Sequence, residues 1–230
     1  MKVELNGIKT FDFQTEAYES ITKALEDNKS YLQLKAPTGA GKTVVLIAAI
    51  DNFYLEHIDD NSAFVWFCPG AGELEEQSKE KMQKYSVLKG TDAQDLQEAL
   101  LNGFNKGSIT FINWESVNNT DKRLALQESE KKNLYDRINE AHNDGRKFYA
   151  IIDEAHKDDT LKAKTILDAF KVKATIEASA TIVWKNGSER IVIPDDDVKA
   201  EGLIAQEISV NEGLPKSNGN YIEIKRFVND

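Results

Sequence analysis

The residues best suited to chemistry in this 230-residue chain form one run of eight: Ala36, Pro37, Thr38, Gly39, Ala40, Gly41, Lys42 and Thr43. Gly39 and Gly41 let the backbone curl around an anion, so that the amides from Gly39 to Thr43 point at negative charge. Lys42 can then reach the β- and γ-phosphates of a nucleotide, and the Thr43 hydroxyl can coordinate Mg²⁺. The run therefore predicts a phosphate-binding loop (P-loop, or Walker A) for ATP and Mg²⁺.

The sequence on either side of the loop supports this prediction. Residues 31–36 form a strand-like apolar run before it, and residues 42–56 have the pattern of the helix that should follow. Ala36 stands where the general pattern has glycine, but only a compact residue is needed there. The structural alternative is a glycine-rich turn with a lysine of no functional importance. Acidic residues later in the chain argue against that alternative.

These acidic residues are Asp153 and Glu154, which follow the apolar residues Ile151 and Ile152. A carboxylate at the carboxyl end of a buried strand can face the ligand crevice of an open α/β sheet. Asp153 would then hold the Mg²⁺ shell, and Glu154 would orient and deprotonate the attacking water. An acidic pair alone is weak evidence because such pairs usually lie on solvated loops, but the preceding apolar run strengthens it.

The elements that must position these residues alternate between short β-like runs and longer helical ones. Strands are predicted at residues 31–36, 63–68, 109–113, 148–153 and 174–179, and helices at residues 14–27, 42–56, 73–85, 124–142 and 160–170. This alternation indicates parallel βαβ units. The expected fold class is therefore α/β, with a mainly parallel sheet flanked by helices.

The pattern changes near the carboxyl terminus. Residues 182–185 and 190–193 flank Asn186 and Gly187, which both accept the positive φ of a tight turn, so a β-hairpin is predicted. Further β-like runs occupy residues 204–210 and 221–227. We therefore expect a β-rich extension over residues 183–230, following an ATP-binding domain over residues 1–182.

Composition limits the class of protein. With 40% hydrophobic residues the chain can bury one core, or one domain with an appendage. A net charge of −10 argues against a surface that is basic all round, although a local nucleic-acid track stays compatible with it. The single cysteine, Cys68, excludes an internal disulfide. Neither a membrane-spanning run nor a secretory signal is present in the sequence, which predicts a cytoplasmic protein with no membrane partner.

Several motifs resemble those of superfamily 2 helicases over most of residues 8–182. Asp153-Glu154-Ala155-His156 resembles their DEAH form of motif II, and Ser179-Ala180-Thr181 resembles motif III. The resemblance implies a RecA-like domain that couples ATP hydrolysis to movement along DNA, with His156, Ser179 and Thr181 transmitting the phosphate state.

Two further parts of the sequence fit the same resemblance. Gln14 is similar to the glutamine that reads adenine in this family, since its amide can both donate to and accept from the base edge. Phe11 or Phe13 would stack on the base, although an aromatic residue before a helix is more often a hydrophobic staple. The segment around Pro69 is similar to motif Ia, where the family contacts the nucleic-acid backbone.

The segment from Phe111 to Ser116 resembles the Asn-Trp-Glu/Asp segment of the Res subunit of type III restriction enzymes. The segment from Glu201 to Ile204 also resembles one that follows motif III there. Nucleic-acid contacts are accordingly expected at Pro69, Gly70, Asn113, Trp114 and Ser116. A core position is the alternative for Trp114. This resemblance implies double-stranded DNA, a second RecA-like domain, an endonuclease domain and a DNA-methyltransferase (modification) subunit as partners.

Alternatives stay open at this stage. They are a superfamily 2 DNA or RNA helicase unconnected with restriction, a P-loop phosphotransferase, and a binding module with an inactive ATP site. The residues after Thr181 are too few to form a second RecA-like domain. The sequence therefore predicts an amino-terminal portion that binds ATP but hydrolyses little of it alone.

Overall fold

The computed structural model describes residues 3–57, 59–69, 73–88, 92–114, 133–153 and 160–204. The helices are α1 (Asp12–Glu26), α2 (Lys42–Glu56), α3 (Glu73–Tyr85), α4 (Leu96–Asn102), α5 (Leu134–Asn143), α6 (Thr160–Phe170) and α7 (Asp195–Ala200). The strands are β1 (Tyr31–Lys35), β2 (Ser62–Cys68), β3 (Ala93–Asp95), β4 (Ile109–Asn113), β5 (Lys147–Asp153), β6 (Ala174–Ser179) and β7 (Glu189–Val192).

These seven strands form one sheet in the order β3-β4-β2-β5-β6-β1-β7. The neighbouring strands pair in parallel throughout the described sheet. The prediction of an α/β fold with a mainly parallel sheet is therefore confirmed. Because all strands run the same way, the segments that follow β1, β5 and β6 leave the sheet at the same edge.

The sheet is covered on both faces, which explains the continuous apolar runs of its central strands. Every residue of β2 is buried. One face packs against α1, α2 and α3 through residues such as Tyr18, Leu46 and Met82. The other packs against α4, α5 and α6, where Phe148 and Phe170 meet with ring centroids 5.0 Å apart.

The predicted hairpin is wrong. Residues 182–185 form no strand, and β7 pairs in parallel with β1 instead of antiparallel with them. The physical reason is a buried side chain, Gln33, which satisfies the backbone of this segment. Its Nε2 donates to the Val183 carbonyl at 3.1 Å, and its Oε1 accepts from the Lys185 amide at 2.8 Å.

A larger polar network holds the same segment on the sheet. The carboxylate of Glu177 accepts from the Tyr31 hydroxyl at 2.7 Å and from Gln33 Nε2 at 3.0 Å. The Lys185 ammonium lies 3.2 Å from the same carboxylate oxygen and contacts the Tyr31 hydroxyl. Residues 183–188 therefore cross this part of the sheet, because β6 and β1 present polar side chains to them.

Other differences from the sequence prediction concern short segments. β3, α4 and α7 were not predicted, and α7 is a helix within the extension that was expected to be β-rich. α4 begins at a capping box in which Asp95 and Glu98 accept from each other's backbone amides. Within the predicted helix 124–142, α5 begins only at Leu134, and residues 115–132 lie outside the described residues. The predicted β-like runs after residue 204 also lie outside them.

In the part of the chain that the structure describes, no helix combines the length and apolarity that crossing a membrane requires.

Candidate nucleotide-binding site

The predicted phosphate loop connects the end of β1 to the start of α2. Gly39 has φ +88° and Gly41 has φ +78°, which are left-handed conformations that side chains rarely adopt. Lys42 is the first residue of α2, and both it and Thr43 are partly exposed. The helix amino terminus, with its partial positive charge, therefore opens at the loop, as anion binding requires.

Close packing is a second reason for glycine in this loop. A Cβ on Gly41 would lie 2.5 Å from Nε2 of Gln14, and a Cβ on Gly39 would lie 3.0 Å from Cγ2 of Ile204. Both distances are too short for an ordinary contact with a Cβ atom. The loop is thus held between α1 on one side and the segment after α7 on the other.

Gln14 connects α1 directly to the loop. Its Nε2 donates to the Ala40 carbonyl at 2.9 Å, and its Oε1 accepts from the Phe11 amide at 3.1 Å. The side chain is only 4% exposed. A side-chain amide has a second N–H and a second lone pair, and contact with an adenine edge would use these.

The two candidate base-stacking residues, Phe11 and Phe13, stack on each other. Their ring centroids are 5.6 Å apart and their planes differ by 1°. Phe13 is buried, while Phe11 is partly exposed. Of the two rings, Phe11 is therefore the one with surface left for a ligand.

Asp153 ends β5 at the same edge of the sheet as the loop. Only β6 separates β5 from β1, with Asp153 opposite Ala178 and Lys35 opposite Ser179. Two strand spacings correspond to about 10 Å between the backbones of β5 and β1. The end of β5 therefore lies close to the entrance of the loop. Glu154 and His156 lie outside the described residues.

The end of β6 is joined to the entrance of the loop through the backbone. The Ala36 amide donates to the Ser179 carbonyl at 3.1 Å, and the Thr181 amide donates to the Ser179 hydroxyl at 3.2 Å. Ser179 is 4% exposed, whereas Thr181 is exposed. Ala36 is therefore hydrogen-bonded directly to Ser179, the first residue of the predicted coupling segment 179–181.

Cys68, at the end of β2, is a structural residue. Burial, together with the smaller effect of the charge of Asp153, raises the pKa of its thiol to about 12, and a hydrogen bond with Ser78 opposes the shift. The thiol therefore stays protonated at neutral pH and is a poor nucleophile or metal ligand.

The structure corrects the predicted nucleic-acid contact at Trp114. Its ring is 5% exposed and stacks on Phe67 with centroids 4.2 Å apart, so it fills the core and presents no free face to a base. Asn113 is also buried, at 7% exposed, and Pro69 is partly exposed. Gly70 and Ser116 lie outside the described residues.

The surroundings of Asn113 are acidic. Burial and the nearby Asp95 raise the pKa of Glu75 to about 7, against the opposing charge of Lys79 and a hydrogen bond from the Asn113 backbone. A groove of about 540 Å³ in this region is lined mainly by acidic and amide side chains: Glu75, Glu76, Lys79, Glu80, Gln83, Asp95, Leu96 and Gln97. This groove repels phosphates and does not extend the candidate site.

Sequence reasoning missed Ile204, which packs on Gly39. The sequence places Ile204 in a β-like run and at the end of a segment, residues 201–204, that resembles the Res subunit. Neither signal indicates contact with a loop far away in the sequence. The polar network of Gln33 and Glu177 was also missed, although polar residues inside two apolar strands are an available signal.

The parallel sheet, the loop between β1 and α2, and the acid at the end of β5 define a RecA-like P-loop domain of the helicase type. Within that class the chain belongs to the family described as type III restriction enzyme, res subunit, whose model matches residues 7–183. The resemblance predicted from the motifs is therefore confirmed. No curated protein matches the chain.

Solved structures share the fold at low sequence identity. A nuclease-deletion mutant of the Type ISP restriction-modification enzyme LlaGI, in complex with a DNA substrate mimic, is similar with a TM-score of 0.61 and 14% identity over 85% of this chain. The Sulfolobus solfataricus SWI2/SNF2 ATPase core in complex with dsDNA gives 0.52 and 18% over 79%. The ATP-dependent Type ISP enzyme LlaBIII bound to DNA gives 0.51 and 17% over 76%. The chain spans 21%, 34% and 13% of these three chains, respectively.

Proposed function

We propose that this chain is the ATP-binding motor domain of a DNA-dependent ATPase, and that the site at the ends of β1 and β5 binds Mg-ATP. The observation that carries the proposal is the arrangement of three groups at one sheet edge. Lys42 and Thr43 begin α2 directly after a loop that contains two left-handed glycines. Asp153 ends β5, which is separated from β1, the strand before the loop, only by β6.

The residues present fit a nucleotide and its metal ion. Lys42 and the amides of the loop neutralise phosphate charge, and Thr43 with Asp153 supplies oxygen ligands of the kind that Mg²⁺ prefers. The metal ion would add positive charge next to the transferred phosphoryl group. Glu154 orients the attacking water and accepts its proton. Catalysis is then positional and electrostatic, since the protein forms no covalent bond to phosphate.

Equilibrium binding of a fluorescent ATP analogue with Mg²⁺ tests the site. Lys42→Ala should weaken binding at least about tenfold, because it removes a charge-assisted contact to phosphate. Lys106→Ala, in an exposed turn, is the matched control and should bind like the parent. Circular dichroism confirms that each variant is folded. Equal affinity of Lys42→Ala and parent would mean that the loop is not a nucleotide site.

We also propose that the motor belongs to the restriction subunit of a type III restriction-modification enzyme acting on double-stranded DNA. Membership of the Res family supports this, and the DNA or DNA mimic bound in the three similar structures is consistent with it. The proposal includes a second RecA-like domain, an endonuclease domain and a methyltransferase subunit.

A cleavage assay distinguishes this proposal from a helicase without a role in restriction. The whole restriction subunit, assembled with its methyltransferase partner, should cleave double-stranded DNA only when ATP is supplied. ATP-driven strand separation without cleavage would instead place the domain in a general helicase.

A further inference from the structure

The segment that follows α7 returns to the phosphate loop. Gly202, at φ +71°, turns the chain after the helix, and the Leu203 amide donates to the Val198 carbonyl at 3.2 Å. This turn brings Leu203 and Ile204 to Gly39. We name the pair Leu203 and Ile204 the return segment.

The contact is made by one side-chain methyl group and one backbone oxygen. A Cβ on Gly39 would lie 3.0 Å from Cγ2 of Ile204 and 3.2 Å from the Leu203 carbonyl oxygen. Ile204 is partly buried against the core, whereas the Leu203 side chain is 38% exposed. The return segment therefore touches the loop without placing the Leu203 side chain in the contact.

The chain that leads to the return segment is also fixed where it leaves β7. The Ile193 amide donates to the Lys35 carbonyl at 2.9 Å, immediately before the loop begins. Val198 of α7 is fully buried and belongs to the same core cluster as residues of α1 and β1. The chain from Ile193 to Ile204 thus bridges the residue that precedes the loop and the middle of the loop itself.

A glycine-rich loop must be ordered before it can bind phosphate with high affinity, since glycine loses more conformational freedom than any other residue. Gln14 restricts the loop at Ala40 and Gly41. At Gly39 the restricting neighbour is the return segment.

We propose that Ile204 is a positioning residue of the phosphate loop, and that nucleotide binding and the position of the return segment are coupled. The inference rests on the proposed ATP site. Coupling is reciprocal: if the return segment orders the loop, phosphate in the loop must change the return segment. The chain beyond Ile204 therefore begins at a residue whose position depends on whether nucleotide is bound.

Three substitutions test the positioning role through the Kd of Mg-ATP. Ile204→Val keeps Cγ2 and should bind like the parent. Ile204→Leu has the same number of carbon atoms but no Cγ2, and Ile204→Ala lacks it as well. Both should weaken binding at least about fivefold, the lower end of the range for coupled sites. A purely hydrophobic role predicts the opposite order, with leucine better tolerated than valine.

A spectroscopic probe tests the coupling independently of affinity. Leu203→Cys places a thiol at an exposed position, where an environment-sensitive dye can be attached. The native Cys68 is buried and should not react with the dye. Mg-ATP should shift the emission of this dye. The same dye on Leu101→Cys, at a 76% exposed position of α4, should not respond. Adding Lys42→Ala to Leu203→Cys should abolish the shift.

The outcomes separate this inference from the proposed function. If the parent binds no Mg-ATP, the ATP site itself is refuted. If the parent binds but the Leu203→Cys dye is silent, or Ile204→Leu binds like the parent, the ATP site stands and the role of the return segment is refuted.

Discussion

Gly41 illustrates how one position meets two requirements. Its φ of +78° disfavours any side chain, and its missing Cβ leaves room for Nε2 of Gln14. Gln14 in turn needs that position to reach the Ala40 carbonyl. The glycine therefore serves the shape of the loop and also the bond that joins the loop to α1.

The two requirements can be separated by comparing Gly41→Ala with Gly187→Ala. Gly187 has φ +79° but no atom within 4 Å of its missing Cβ, so its substitution changes only the backbone preference. We expect Gly187→Ala to lower the free energy of unfolding by about 1 kcal/mol. Gly41→Ala should cost about 1–3 kcal/mol more because Gln14 must move. Urea unfolding measures the free energy of unfolding of both variants. Equal losses in Gly41→Ala and Gly187→Ala would contradict the crowding at Gly41.

Between elements, the helix that carries Lys42 is tied to the end of α3 by a buried carboxylate. Asp51 of α2 accepts from the Ser86 hydroxyl at 2.7 Å and from the Val87 amide at 2.8 Å. Burial raises the pKa of Asp51 from 3.8 to about 6, against the effect of these two hydrogen bonds. The helix behind the phosphate loop is thereby fixed to the helix that follows β2.

This carboxylate should produce a measurable pH dependence of stability. Between about pH 4 and pH 6 the folded state holds a proton on Asp51 that the unfolded state has lost. The contribution of Asp51 to the free energy of unfolding therefore falls as the pH rises through this window. Asp51→Asn should remove this decrease in the free energy of unfolding with rising pH. At pH 7 the variant also lacks the carboxylate that accepts from the Val87 amide. Urea unfolding at a series of pH values provides the test, and identical slopes in parent and variant would contradict it.

Gln33 has a comparable role in fixing residues 183–188 on the sheet. Gln33→Leu should lower the free energy of unfolding by about 1–3 kcal/mol, because it leaves the Lys185 amide and the Val183 carbonyl without this partner. It should also speed hydrogen exchange of the Lys185 amide. Lys185→Ala is the control: its ammonium is half exposed, so its loss should cost no more than about 1 kcal/mol and leave the backbone bonds in place. Unchanged exchange in Gln33→Leu would contradict this role.

At the scale of the whole molecule, the family relationship bears on what the chain can do alone. It spans only 21% of the LlaGI chain with which it shares a fold. P-loop ATPases accelerate hydrolysis by roughly 10³-fold or more with an arginine finger. In our proposal that arginine belongs to the second RecA-like domain.

We therefore expect the 230-residue chain to bind Mg-ATP but to release phosphate slowly, with little stimulation by double-stranded DNA. Phosphate release with and without DNA measures this, and the whole restriction subunit serves as the positive control. Robust DNA-stimulated turnover by the short chain would show that it needs no second domain.

The sequence by itself determined the elements and residues that depend on local order. Most strands and helices, the loop around Lys42 and the acid at Asp153 were predicted close to where the structure has them, because hydrophobic period and glycine spacing act over a few residues. The family resemblance followed from the same motifs.

Only the tertiary structure decided which distant residues meet. Pairing of β7 with β1, burial of Trp114 against Phe67, and the contact of Ile204 with Gly39 all join parts of the chain that are far apart in sequence. The local pattern of residues 182–193 favoured a hairpin, yet Gln33 and Glu177 satisfied that segment in another way. Such contacts depend on the shape and polarity of a surface that exists only once the sheet has formed, and no local pattern encodes them.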